Sequence, residues 1–253
     1  MPDKPMAVIC FYWQGDRWRE IGDVGITEDG HFNYHQGHLN RAGDLSPDLP
    51  SKYVNNLYRG VRRFAVEPFD FICFTNQPLE LDNEIEIRPF IAPSPLGVLP
   101  RLYMFSRESG LFGRQVLALD IDIVIVGSLK DIMKYRGSFC ARSKFKPGME
   151  HLLDGDVISF QAGSENEKRL WTAFIENKQE AETITKGRER FWYRHVVGDK
   201  AERWDIYAPG QIISYKRHVI RLRRLPNNAR IVSCHGVPRP HEINMPWRRK
   251  YWN

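Results

Sequence analysis

One stretch constrains this chain more than any other: Val116-Leu117-Ala118-Leu119 runs into Asp120-Ile121-Asp122 and resumes as Ile123-Val124-Ile125-Val126. A run rich in β-branched residues reads as a strand covered on both faces, and such strands in α/β proteins deliver their chemistry at the carboxyl end. On an extended backbone residues two apart project to the same side, so Asp120 and Asp122 are expected together. Adjacent carboxylates repel unless a cation or a shared proton offsets them. A hard divalent ion, Mg2+ or Mn2+, suits oxygen ligands together with phosphate.

The rest of the chain supplies the elements around that strand. Residues 6–13 read as a first buried strand, whereas residues 16–50 are glycine-rich and polar and read as a long loop or insertion. Tyr53, Val54, Leu57, Tyr58, Val61 and Phe64 form the apolar stripe of a helix with Ser51 as its N-cap. Residues 69–75 are a second strand, 84–88 alternate as an edge strand, and 100–105 read as helical. Further on come a short strand over 157–160, an amphipathic helix over 165–177, and strands over 211–215 and 230–234. This alternation predicts an α/β fold with a mostly parallel central sheet flanked by helices, and 253 residues suit one domain spanning 1–253.

The net charge of +6 calls for an anionic partner: nucleic acid, an acidic membrane surface or a phosphorylated small molecule. No nucleic-acid motif is present, so nucleic acid is not expected. Residues 241–253 mix Arg248, Arg249 and Lys250 with Trp247, Tyr251 and Trp252. That pattern suits either the headgroup layer of an anionic membrane or a tail whose aromatics pack back on the domain. The longest apolar runs fall far short of the roughly 20 residues that span a bilayer. The start does not read as a secretory signal, and Cys10, Cys73, Cys140 and Cys234 are scattered like buried thiols of a reduced protein. A cytoplasmic protein, with a peripheral contact on the inner face of the membrane, is the expectation. His31, His35 and His38 have helical spacing, but Gly30 and Gly37 argue against a helix and hence against a metal site there.

In the second half His235 follows a strand and precedes Gly236-Val237-Pro238-Arg239-Pro240. An imidazole beside two carboxylates leaves positions on Mn2+ open for phosphate oxygens and water. Arg239, set between prolines, suits bidentate contact with a diphosphate.

At these residues the chain resembles the bacterial glycosyltransferases of the GT-A fold, loosely akin to the glycogenin and lipopolysaccharide galactosyltransferase group. The resemblance runs in order through Trp13-Gln14-Gly15-Asp16, Tyr53-Val54-Asn55-Asn56-Leu57-Tyr58, Phe71-Ile72-Cys73-Phe74-Thr75-Asn76, Leu119-Asp120-Ile121-Asp122, Ser214-Tyr215-Lys216 and His235-Gly236. It implies transfer of a sugar from a nucleotide-diphosphate sugar, UDP-linked or GDP-linked, to a glycan or lipid-linked acceptor of the cell envelope. It also implies Asp120, Asp122 and His235 as ligands of Mn2+ or Mg2+, with Asp120 alternatively on the donor ribose. Phe11, Tyr12, Trp13 and Tyr58 would lie near the base, Arg101 and Arg239 near the phosphates, and Asp154, Asp156 and Asp199 near the sugars as catalytic candidates. The chain departs from the family pattern at Asp154, where asparagine is common, and at Lys200 after Gly198-Asp199, where glutamine is usual. Its 16–50 stretch is longer than the family's, and Arg239 stands closer to His235 than the corresponding lysine does.

Two other readings compete. Asp120-Ile121-Asp122-Ile123-Val124 also matches the Asp-x-Asp-x-Val motif of haloacid dehalogenase-type phosphotransferases, with Asp120 as nucleophile and Asp122 as general acid. That motif usually opens its domain, whereas here about half the core precedes it. The basic, aromatic tail alternatively suits a nonenzymatic protein that binds an anionic polymer.

Overall fold

The structure, a computed structural model, describes residues 4–13, 49–94 and 96–253. Most of the loop expected over 16–50, including His31, His35 and His38, lies outside the described residues; Leu49 and Pro50 open a helix.

Among the described residues ten strands form two sheets: β1 Met6–Tyr12, β2 Phe69–Thr75, β3 Ile85–Arg88, β4 Gln115–Leu119, β5 Ile123–Ile125, β6 Phe139–Ser143, β7 Leu153–Gln161, β8 Glu202–Arg203, β9 Ile212–Ser214 and β10 Ile231–Ser233. The larger sheet has the order β3-β2-β1-β4-β7-β6-β8 and the smaller β5-β10-β9. Strands β3, β2, β1 and β4 run parallel, and β7 is antiparallel to both β4 and β6. The helices are α1 Leu49–Phe64, α2 Lys130–Met133, α3 Glu165–Glu176, α4 Lys178–Thr185, α5 Glu189–Val196, α6 Trp204–Tyr207, α7 Ile220–Leu222 and α8 Pro246–Tyr251. The expected α/β architecture with a mostly parallel sheet is what the chain adopts. Among the described residues no helix is long and apolar enough to cross a membrane.

The period-2 geometry of β1 explains the two cores. Val8, Cys10 and Tyr12 face α1 and the smaller sheet, while Ala7, Ile9 and Phe11 face the opposite layer with α3 and α5. Each large side chain buried this way contributes roughly 1.5–3 kcal/mol. All four cysteines are buried and free.

Four local expectations change. The aspartates follow the end of a buried strand but not on the extended backbone expected for them: β4 ends at Leu119, the chain turns through Asp120–Asp122, and β5 joins the other sheet. Ser51 lies inside α1 rather than capping it, and its hydroxyl accepts a hydrogen bond from the Glu80 amide at 3.0 Å. Residues 99–105 form a 3-10 segment with Pro100 in its first turn. The short strand over 157–160 is the second half of a nine-residue strand that includes Asp154 and Asp156. The tail takes the packed alternative at both tryptophans, with Trp252 against Tyr53 at 5.2 Å between ring centres and Trp247 against Tyr215 at 6.1 Å.

Candidate active site

The site forms where the two sheets meet. Parallel strands place Tyr12, Thr75 and Leu119 at one edge, and the turn after Leu119 presents Asp120 and Asp122 there. The Asp120 amide donates to the Asp156 carbonyl at 2.9 Å, and the Cys234 amide donates to the Asp122 carbonyl at 3.2 Å. The turn is therefore pinned on one side by β7 and on the other by the segment leaving β10.

Five carboxylates gather at this junction, and each is met by arginine. Arg101, only 2% exposed, lies 2.8 Å from Asp120 Oδ1 and 3.1 Å from Glu189 Oε1, and donates to the Gly155 carbonyl at 2.7 Å. Its contact with Asp120 is an ion pair without hydrogen-bond alignment, since Asp120 Oδ1 has no hydrogen-bond partner. A Cβ at position 155 would overlap the Glu189 carboxylate and stand 3.1 Å from Arg101 Nη1, so glycine is what lets the guanidinium reach the strand. Arg239 donates to Asp122 Oδ2 at 2.9 Å. Arg142 holds Asp154 at 2.7 Å and Asp156 at 3.2 Å, while its guanidinium covers the Phe145 ring. A β-bulge between Ala141 and Arg142 brings Arg142 opposite Asp154 on the neighbouring strand.

Burial pushes the Asp120 and Asp122 carboxyls above the usual aspartate range, against the pull of Arg101 and Arg239 respectively. Burial acts on Asp156 in the same sense, but Arg142 and the Ser233 hydroxyl overcome it and hold that carboxyl below the usual range. The His235 imidazole is lowered to about 4, first by burial, and is neutral at physiological pH. Its Nε2 lies 2.8 Å from Ser214 Oγ and its ring stacks on Phe145. Lys144 is lowered to about 8 by burial and by Arg190, which leaves it largely charged at pH 7.

The structure brings Asp120, Asp122, Asp154, Asp156, Arg101 and Arg239 into one network and places His235 beside Asp154 and Asp156. Tyr12 and Trp13 reach the carboxyl end of β1. Phe11 is instead a core residue, stacked on Phe74 with 4.9 Å between ring centres. Tyr58 packs on Phe71, which is in register with Val8 and Leu117, three residues short of Asp120. Asp199 stands on an exposed 3-10 turn, paired with Arg194.

The expected metal ligands do not fit a divalent ion as they stand. Asp120 and Asp122 each face an arginine, and His235 is bonded to Ser214. Among the described residues no three His, Cys, Asp or Glu side chains gather as a metal-binding group. Arg142 and Glu189 were not singled out from the sequence. An arginine directly after the apolar Phe139-Cys140-Ala141 is a visible signal for the first, whereas a glutamate opening a helix reads as a dipole partner and hides the second.

No protein-family model and no curated protein matches the chain. Solved structures do. Apo GlyE of Streptococcus pneumoniae TIGR4 superposes with a TM-score of 0.57 at 12% identity, over 98% of this chain and 59% of that one. The apo form of the bifunctional glycosyltransferase WbbM gives 0.58 at 9% identity, over 98% of this chain and 51% of its own. An active-site mutant of LgtC gives 0.57 at 11% identity, over 96% of this chain and 93% of LgtC. The fold is that of bacterial glycosyltransferases. The chain spans little more than half the length of GlyE and WbbM but nearly all of LgtC. In this glycosyltransferase fold the arginine and carboxylate network occupies the carboxyl ends of the central strands, where open α/β sheets bind their ligands.

Proposed function

We propose that the chain is a glycosyltransferase that moves a sugar from a nucleotide-diphosphate sugar to a glycan or lipid-linked acceptor of the cell envelope. The observation that carries this reading is the arginine-laced carboxylate cluster at the strand ends of a glycosyltransferase fold. LgtC has been solved with donor and acceptor sugar analogues, and by analogy the donor lies at the same strand ends here. A UDP-sugar is the first choice of donor and a GDP-sugar the second, with Tyr12 and Trp13 flanking the base.

Departure of a nucleoside diphosphate develops negative charge, which fixed cations stabilise without reorganising. Arg239, at the edge of the cluster, and the nearby Lys144 and Arg190 are the cations for that role. Arg101 is a positioning residue, tying Asp120, Glu189 and the β7 backbone together. Asp120 and Asp122 retain 26% and 16% of their side-chain exposure, enough to accept hydrogen bonds from ribose or sugar hydroxyls. Asp154 and Asp156, ordered by Arg142, are the carboxylates for the sugar side. A divalent cation, Mn2+ or Mg2+, enters this reading only with Arg239 released from Asp122. The expected setting is cytoplasmic.

The test is calorimetric titration with UDP, GDP and CDP, each with and without Mn2+, on the wild type and on Asp122→Ala. One nucleotide is expected to bind the wild type, with affinity at least about tenfold weaker in the variant, as loss of one charge-assisted contact implies. Absence of binding by all three nucleotides in both conditions would overturn the reading.

A further inference from the structure

From Ile206 to His241 the sequence contains no acidic residue, while it carries Lys216, Arg217, Arg221, Arg223, Arg224, Arg230 and Arg239. The fold divides these cations. Arg239 is buried against Asp122, and Arg230 bonds backbone carbonyls. Arg217, Arg221, Arg223 and Arg224 are exposed, and among the described residues none of them pairs with a carboxylate. Between them, Ile220 and Leu222 leave 48% and 49% of their surface in water. They sit on a π-helical turn, Tyr215–Val219, that runs into the single turn of α7. Val219 is fully buried and anchors the segment, so the exposed aliphatics are not a frayed end.

We infer that this segment is a docking surface for an anionic phospholipid bilayer, a property beyond the sugar transfer proposed above. Unpaired arginines around protruding aliphatic side chains match a lipid surface chemically: cations meet phosphate headgroups while Ile220 and Leu222 enter the acyl boundary. A nucleic acid would reward the charge but not the aliphatics, and the segment offers no exposed aromatic ring on which bases could stack. Its position supports the assignment. The segment leaves β9 at Ser214, whose hydroxyl contacts His235, and His218 packs on Phe145, whose ring also meets Arg142 and His235. A bilayer held here lies beside the carboxylate cluster, where a lipid-linked acceptor would be presented. The C-terminal basic group differs, because its tryptophans are buried in the fold.

The test is co-sedimentation of the full chain with vesicles of phosphatidylcholine alone and of two parts phosphatidylcholine to one part phosphatidylglycerol, at low and high salt. The wild type is expected to partition onto the anionic vesicles and to leave them as salt rises. Each exposed arginine is worth about fivefold in partitioning, so Arg221→Gln with Arg224→Gln is expected to lower it about 25-fold. Ile220→Ser with Leu222→Ser is expected to lower it several-fold. These positions are exposed, and thermal unfolding of each variant is the control for its fold. Equal partitioning of the variants and the wild type would overturn the inference. So would a larger loss from Arg249→Gln with Lys250→Gln, or retention of the wild type by single-stranded RNA but not by the anionic vesicles. None of these outcomes depends on nucleotide binding, so failure here is separate from failure of the proposed activity.

Discussion

The same residue type does opposite work in two regions of this molecule. At the sheet junction Arg101, Arg142 and Arg239 are nearly excluded from water, and each is committed to carboxylates. Along residues 217–224 the arginines stand in water without an acidic partner among the described residues. A guanidinium can be buried only when its charge and donors are matched. The junction arginines are therefore structural before they are anything else, and they fix where the aspartates point. The surface arginines contribute little to folding, which leaves them available to an outside anion.

Removing a junction arginine tests that contrast most severely. Arg142→Met removes the guanidinium that holds Asp156 and leaves Asp154 only Arg190 at 3.8 Å, and it is expected to cost about 3–5 kcal/mol in urea unfolding, the range for a broken buried ion pair. A loss below about 1 kcal/mol would erase the distinction between the two regions.

Arg239→Met is expected to cost less, about 1–3 kcal/mol, because Asp122 keeps some access to water. Its pH dependence has a definite sign. Burial already raises the Asp122 carboxyl, and loss of Arg239 raises it further. The folded state then favours the protonated acid, a contribution present at low pH and lost as pH rises through the folded value. Stability of the variant relative to wild type should therefore worsen from pH 5 to pH 8, as read by unfolding at both values.

Glu167 sharpens the comparison from the acidic side, being a buried carboxylate with no arginine. Burial raises it to about 7, and it accepts a hydrogen bond from the Gly163 amide at 3.0 Å. A raised acid stabilises the fold below its unfolded value and loses that contribution as pH passes 7. Glu167→Gln keeps an acceptor without the charge, so it is expected to gain about 1–2 kcal/mol over wild type at pH 8 and to match it below pH 4.5. Asp156 shows the contrast, since Arg142 holds it ionised.

At the small end, Arg221→Gln with Arg224→Gln is expected to change stability by no more than about 0.5 kcal/mol, as surface substitutions do. A larger loss would mean that these arginines hold the fold together after all.

The two regions also differ in how they can be read from sequence. Strands β1, β2 and the residues of β4 announce themselves because a buried parallel strand needs a local apolar run, and residues 69–75 were bounded correctly for that reason. The Asp120–Asp122 pair was equally visible. Its geometry was not, because the apolar residues on both sides fit one long strand as well as two short ones, and only pairing with β10 decides the break. Arg142 meets Asp154 through a bulge in a strand register, and Arg239 meets Asp122 across 117 positions. Neither contact has a local signal. The basic character of residues 216–224 was plain, but whether each cation pairs or stays free depends on what the fold sets against it.

The break between β4 and β5 has a consequence for how the chain is made. Among the described residues β5 pairs only with β10, and the arginine hydrogen-bonded to Asp122, Arg239, follows it by 117 positions. At roughly 5–20 residues per second, the ribosome delivers Arg239 on the order of ten seconds after the aspartate it neutralises. The parallel strands can pair during that interval, while the aspartates wait at an open seam. The carboxylate cluster is thus assembled late in translation, by the segment that carries His235 and Arg239.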